Sequence, residues 1–226
     1  MKKLLKQIKN KIRYWLINLS TPSNEKISFD TFSLYRARGS ITYRGVLYSK
    51  CPFDYVLYQM ILREVDPDLV IEIGTNIGGG ALYLADLMDI SGHGMVHTID
   101  VEKKSDALAA NHPRIKLFTD GWENYDLNEA KKYSKILVID DGSHFAESTL
   151  GAMKKFAPLV SVNSYLIVED GIINALQLSK LFNGGPIKAI NDFLPTNQDF
   201  IIDRKWCDFF GKNATFNVNG YLKRVK

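Results

Sequence analysis

Leu69-Val70-Ile71-Glu72-Ile73-Gly74-Thr75-Asn76-Ile77-Gly78-Gly79-Gly80 runs from a β-branched apolar stretch straight into a glycine-rich turn. Apolar residues then continue at helical spacing to about Met88, so the segment reads as a buried strand, a tight turn and a helix. The same alternation extends in both directions. Asp54 to Val65 has the pattern of a helix stopped by Pro67, and β-rich runs recur at 95–99, 114–118, 135–139 and 165–168. A helix is expected over Ala146 to Phe156 and a helical stretch up to about Leu194. The segments 199–203 and 216–224 read as a closing strand pair, the second interrupted by Asn219-Gly220. Strands separated by helices predict an α/β protein with a doubly wound, mostly parallel sheet.

The chain has 226 residues, 46% of them apolar and 24% charged, which suits one packed domain with a modest addition. Leu5, Ile8, Ile12, Trp15 and Leu19 recur at steps of three and four among lysines, predicting a basic amphipathic helix over residues 1–20. Such a helix can pack on the body, on a second subunit, or on an anionic membrane surface. The polar residues of 20–30 read as a hinge, so we expect an N-terminal extension over 1–50 and a main domain over 51–226. Residues 1–20 hold six basic residues and no acidic one; without them 23 basic stand against 25 acidic residues, about −2, which argues against nucleic acid as a partner. Cys51 and Cys207 have no metal or redox spacing. With no spanning apolar run and no secretory signal, a cytoplasmic location is expected, with the inner face of the membrane open to the basic helix.

In an open α/β sheet, ligands bind beyond the carboxyl ends of the strands. Those ends are acidic here: Asp100, Asp120, Asp140-Asp141 and Glu169-Asp170 follow successive strands, and Glu72 lies within the first. The turn fits neither a dinucleotide fingerprint, since position 76 is Asn, nor a phosphate-binding loop, which would need Lys followed by Ser or Thr. It still allows close backbone approach to a ligand, and Asp100, 26 residues after Gly74, stands where a ribose diol would be held. Asp141, Glu169 and Asp170 converge if their strands are neighbours. Three unpaired carboxylates would repel one another, so a hard cation such as Mg²⁺ is expected among them. Alternation along a strand turns Asp140 away from Asp141, and Glu169 and Asp170 can share an ion only if the chain turns at once, which Gly171 permits. His144, three residues after Asp141, is placed to take a proton from an activated hydroxyl, whereas His93, His97 and His112 have no such company.

The chain resembles the metal-dependent, S-adenosylmethionine-using sugar O-methyltransferases, which include the macrolide-sugar enzymes and the group named for cephalosporin hydroxylase and rhamnosyl O-methyltransferase. The resemblance covers roughly residues 45–224. It rests on Pro52-Phe53-Asp54 with Tyr58-Gln59, Pro67 to Gly74 with Gly78-Gly79, His112-Pro113-Arg114-Ile115, Ile139 to His144, Val168-Glu169-Asp170 and Asn219-Gly220-Tyr221-Leu222. It implies a Rossmann-like class I methyltransferase fold with seven strands. It also implies Asp141, Glu169 and Asp170 as magnesium ligands, with His144 as general base beside the catalytic Asp141. Glu72, Gly74, Thr75, Asn76, Gly79 and Asp100 would contact the methyl donor, and Asp120 falls near the adenine-contacting segment. The implied reaction is Mg²⁺-dependent transfer of a methyl group to a hydroxyl of a saccharide or glycosylated metabolite, in a homo-oligomer. A small-phenol methyltransferase and a non-catalytic membrane-associated scaffold are the competing expectations. A hydroxylase is disfavoured, because the sequence offers no two-histidine, one-carboxylate set for iron.

Overall fold

The computed structural model describes residues 2–27 and 30–226, without the side chains of residues 2–4 and 7. Two compact units divide between Leu34 and Tyr35. In the first, α1 (Lys2–Ser20) bears out the expected amphipathic helix, with Leu5, Ile8, Ile12, Trp15 and Leu19 all exposed. The amide and the hydroxyl of Thr21 both donate to the Ile17 carbonyl, at 3.0 and 2.7 Å, and close the last turn. Of the hinge expected at 20–30, residues 28 and 29 lie outside the described residues. A short helix, α2 (Thr31–Ala37), follows. No described helix is long and apolar enough to cross a membrane.

Residues 35–50, expected to belong to the extension, are part of the second unit. β1 (Thr42–Tyr43) and β2 (Val46–Leu47) form a hairpin whose turn residues Arg44 and Gly45 both have positive φ, a geometry that matches strand twist. The hairpin is fastened to α4 (Gly79–Ser91), where Asp86 receives the Tyr43 hydroxyl at 2.9 Å and pairs with Arg44. These contacts span more than 40 residues and leave no local sequence pattern.

The rest of the body comprises α3 (Pro52–Val65), β3 (Leu69–Ile73), β4 (Met95–Ile99), α5 (Ala107–Ala110), β5 (Ile115–Phe118) and β6 (Ile136–Asp140). Then come α6 (Ala146–Phe156), β7 (Tyr165–Val168), α7 (Gly185–Phe193), β8 (Phe200–Ile202), α8 (Arg204–Cys207) and β9 (Tyr221–Arg224). The seven strands run in the order β5-β4-β3-β6-β7-β9-β8, the first five parallel and β9 antiparallel to both neighbours. The order reverses at β3, which puts a crevice beyond its carboxyl end. Both faces of the sheet are covered. Val70, Leu137 and Ile167 pack with Leu57, Ile61 and Leu84 on one side, while Leu69, Val138 and Leu166 pack with Met153, Phe156 and Phe193 on the other. Burial on both faces explains why β3 reads as a continuous apolar run rather than an alternating one.

The last strand starts at Tyr221, later than the sequence pattern indicated. Gly220 lies so close to β7 that a Cβ there would stand 1.9 Å from the Val168 carbonyl oxygen, and its own carbonyl accepts the Val168 amide at 2.8 Å. The chain is thus turned into the sheet by a glycine that no side chain could replace.

Of the other three histidines, expected to be structural, His112 groups with Asp86 and Asp89, ligand atoms of the three lying within 4.8 Å of one another. His93 and His112 pair with Asp66 and Asp86 at 3.0 and 3.2 Å. His97, in β4, is buried, with Nδ1 2.7 Å from the Tyr125 hydroxyl and Nε2 without a partner among the described residues. Burial, helped by Lys116 and Lys132, pushes its pKa down from 6.5 to about 4. Between these values the unfolded chain holds a proton that the native one refuses, so the contribution of neutral His97 is complete above pH 6.5 and is lost as pH falls toward 4. The stability difference between wild type and His97→Gln, from denaturant titrations, should therefore decline across this window; a flat difference would show that His97 does not titrate there.

Candidate active site

The carboxyl ends of β3, β4, β6 and β7 open onto a cleft of about 690 Å³, whose wall includes Arg38, Gly74, Asn76, Asp100, Trp122, Asp141, His144 and Asp170. Gly74 has φ +96°, and a Cβ on it would lie 2.1 Å from the Asp141 carbonyl oxygen, so the turn and the acidic rim are in backbone contact. Asn76 also takes a left-handed conformation, and its amide donates to Asp100 Oδ2 at 2.7 Å. The other oxygen of Asp100 accepts the Val101 amide at 2.8 Å. A carboxylate is thereby fixed at the tip of β4, facing a stretch of bare backbone.

Four residues expected to contact the methyl donor stand outside the cleft wall. The buried Glu72 carboxylate receives the Thr98 hydroxyl at 2.6 Å, and a Cβ on Gly80 would meet its other oxygen at 2.3 Å. Burial pushes its pKa up to about 8. Thr75 is hydrogen-bonded to Thr98, Gly79 packs under the Leu47 carbonyl, and Asp120 is exposed beside the turn that its carbonyl closes with Asn124. Gly74, Asn76 and Asp100 do line the cleft.

The second constellation forms where β6 and β7 end. The Asp141 amide donates to Ile73 and the Glu169 amide to Asp140, both to carbonyl oxygens within 2.9 Å, which carries the sheet register one residue past the strands. Asp140, as alternation demands, turns away; it accepts the Gly142 amide at 3.2 Å, and burial pushes it up to about pKa 7. Ligand atoms of Asp141, His144 and Asp170 all lie within 4.8 Å of one another, with His144 Nε2 3.1 Å from Asp170 Oδ2. The immediate turn after Glu169 is made by Asp170 itself, at φ 55°, and His144 is likewise left-handed at φ 62°. Gly171 serves closeness instead, since a Cβ there would strike the Val218 carbonyl oxygen at 2.3 Å. Such backbone conformations in non-glycine residues persist only where the surroundings over-determine them.

Glu169 is separated from this trio. It is 3% exposed, and its two oxygens are taken by the Lys50 ammonium and the Tyr58 hydroxyl. Lys50 is itself 2% exposed and reaches Asp141 Oδ2 at 3.1 Å. Burial pulls the Lys50 pKa down, but Asp141 and Glu169 outweigh it and leave the ammonium well above the ordinary lysine value. Burial and the charge of Asp141 push Glu169 up to about 7. Asp141 and Asp170 are raised too, first by burial. Lys50 brings one positive charge to three carboxylates, and two oxygen ligands with an imidazole close by fit a hard divalent cation.

Lys50 and Arg38 gave no functional signal in the sequence, and Tyr58 entered only through the resemblance. Lys50 meets its partners 91 and 119 residues away, and Arg38 is held in the cleft wall by stacking 3.4 Å above the Tyr35 ring. Tyr35, Tyr43, Tyr48 and Trp122 could each line an acceptor pocket by residue type; Trp122 lines the cleft, Tyr35 lies under Arg38, and Tyr43 and Tyr48 are absorbed in a cluster around Tyr83, with centroids 5.1 and 5.7 Å away.

The family model described as Rhamnosyl O-methyltransferase/CmcI matches residues 36–225. The rhamnosyl O-methyltransferase of Mycobacterium leprae (strain TN) is 32% identical over 194 residues, covering 81% of this chain and 82% of that protein. That of Mycobacterium tuberculosis (strain ATCC 25618 / H37Rv) is 35% identical over 195 residues, covering 81% and 78%. Among solved structures, CmcI with SAH superimposes with a TM-score of 0.66 at 21% identity, over 92% of this chain and 93% of that one. The O-methyltransferase TomG from Streptomyces achromogenes gives 0.56 at 12% identity, over 90% and 94%. The fold is that of the class I methyltransferases, and the chain belongs to the rhamnosyl O-methyltransferase/CmcI family.

Proposed function

We propose that this protein transfers a methyl group from S-adenosylmethionine to a hydroxyl of a saccharide, with Mg²⁺ at the Asp141–Asp170 rim. The observation that carries the reading is the placement of the Asp141, His144 and Asp170 cluster in the same cleft as Gly74, Asn76 and Asp100. Asp100 supplies the carboxylate for a ribose diol, and the bare backbone at Gly74 admits the body of the methyl donor. Magnesium, when bound, lowers the pKa of a neighbouring hydroxyl and fixes its direction. His144 directs Nε2 toward Asp170, which leaves Nδ1 as the basic atom to receive the acceptor's proton. As that proton leaves, the oxygen attacks the methyl carbon, the carbon–sulfur bond breaks, and its electron pair neutralises the sulfonium. Alignment carries much of the rate, so the rigid, left-handed placement of His144 and Asp170 serves the reaction directly.

The acceptor side favours a sugar over a phenol. With Tyr43 and Tyr48 turned into the tyrosine cluster and the Trp122 ring packed on Gly151 of α6, the described cleft wall holds no pair of aromatic rings to enclose a phenol from both sides. We place the reaction in the cytoplasm, with α1 on the inner face of an anionic membrane. Lys6, Lys9, Lys11 and Arg13 are all exposed on the helix that carries the exposed Leu5, Ile8, Ile12 and Trp15. Each basic residue near such a surface contributes about 1 kcal/mol.

His144→Ala should lower turnover of a rhamnoside acceptor by about 10²–10⁴ while S-adenosylhomocysteine still binds; undiminished turnover would remove His144 as the base. Asp141→Asn and EDTA should each abolish methylation, and activity that survives chelation would refute the metal. In vesicle sedimentation, the full chain should bind phosphatidylserine-containing liposomes but not neutral ones, and Lys6→Glu/Lys9→Glu should release it. Equal indifference to both vesicles, together with a dimer that dissociates on Trp15→Glu, would assign α1 to a second copy of the chain.

A further inference from the structure

Lys50 does something for this centre that neither a magnesium ligand nor a general base would do. Its Nζ contacts Asp141 and Glu169 on one side and lies 5.2 and 5.4 Å from the ring centroids of Tyr48 and Tyr58 on the other. Such a box of two carboxylates and two aromatic faces favours a cation. The ammonium is enclosed by these four groups, and the residue is 2% exposed. It is also fixed in place by its neighbours in sequence: Ser49 lines the cleft, and Cys51 opens α3.

We propose that Lys50 is a resident second cation of the metal centre, a positioning residue that ties Asp141 to Glu169 and remains beside the bound divalent ion. This rests on the metal reading above. Asp141, Glu169 and Asp170 carry three negative charges, with side chains 26%, 4% and 20% exposed. A divalent ion alone leaves one of them uncompensated, and a buried unpaired charge is costly. With Lys50 the sum is zero when the ion is bound and −2 when it is not. The carboxylates are therefore held in place before the ion arrives, and the site attracts a divalent ion without collapsing for want of one. Tyr58 completes the arrangement: its hydroxyl donates to Glu169 and accepts the Asn217 side-chain amide at 3.2 Å, anchoring the buried end of the pair.

The test is a Mn²⁺ titration of the full chain, without methyl donor or acceptor, combined with thermal melts in EDTA. The neutral variants Lys50→Met and Lys50→Gln should melt lower than wild type in EDTA, bind Mn²⁺ about tenfold tighter because a nearby positive charge is gone, and gain more thermal stability from it. Lys50→Arg should restore both properties toward wild type. The double variant Lys50→Met/Glu169→Gln removes one charge of each sign, and it should recover the wild-type melting temperature in EDTA even where the single variants are recovered only unfolded. Neutral variants that bind Mn²⁺ as weakly as wild type, or a double variant no more stable than the single, would overturn the proposal. If wild type itself binds no Mn²⁺, the metal reading fails; if wild type binds and Asp141→Asn does not, that reading stands whatever Lys50 does.

Discussion

Like charges brought together at the end of a buried sheet must be reconciled, and much of this structure follows from how that is done. The register of β6 against β7 places Asp141, Glu169 and Asp170 at one rim, where hydration is too poor to screen them. Three devices share the task. Asp170 is swung into a left-handed conformation so that its carboxylate meets His144. Glu169 is drawn down onto Lys50 and Tyr58. Asp141 stands between these two arrangements. Lys50 reaches the rim from the segment between the hairpin of residues 42–47 and the start of α3.

A second chain of polar contacts continues inward from Tyr58. Asn217 bridges the hydroxyls of Tyr58 and Tyr221, and Tyr221 and Thr215 both donate to the buried Asp54 on α3. Burial pushes Asp54 up to about pKa 7 despite these partners. Networks of this kind are worth having only when nearly every member is satisfied, and they then enforce one arrangement of the elements they join. Here they join α3, β7 and the loop before β9, three parts of the chain that β-pairing alone would leave free to slide.

Much of the fold was legible because hydrophobic patterning reports burial directly: the central strands β3, β6 and β7 are buried on both faces, and α3 and α6 turn an apolar stripe to them. The strand-end acids were legible for the same reason, since topology assigns strand ends to a crevice. Asp141, His144, Asp170, Gly74, Asn76 and Asp100 came from that rule and from the resemblance. The fate of individual side chains was not legible. Glu72 reads like a ligand contact, yet the closeness of Gly80 and the Thr98 hydroxyl hold it inside. Lys50 reads like an ordinary surface lysine because nothing near it in the chain is its partner. The boundary at Leu34 rather than residue 50 was hidden likewise, since it depends on Tyr43 and Arg44 meeting Asp86 across the fold.

The position of β9 between β7 and β8 has a bearing on biogenesis. Until residues 221–224 leave the ribosome, β7 presents an unpaired edge, Asp54 lacks Thr215, Phe216 and Tyr221, and Tyr58 lacks Asn217. Sheet closure and the burial of the Tyr58–Glu169 pair therefore wait for residues 215–224, which follow every other element of the sheet in chain order. The basic helix, by contrast, precedes every strand of the sheet in chain order. A nascent chain thus holds all five parallel strands before it holds the strand that closes the sheet.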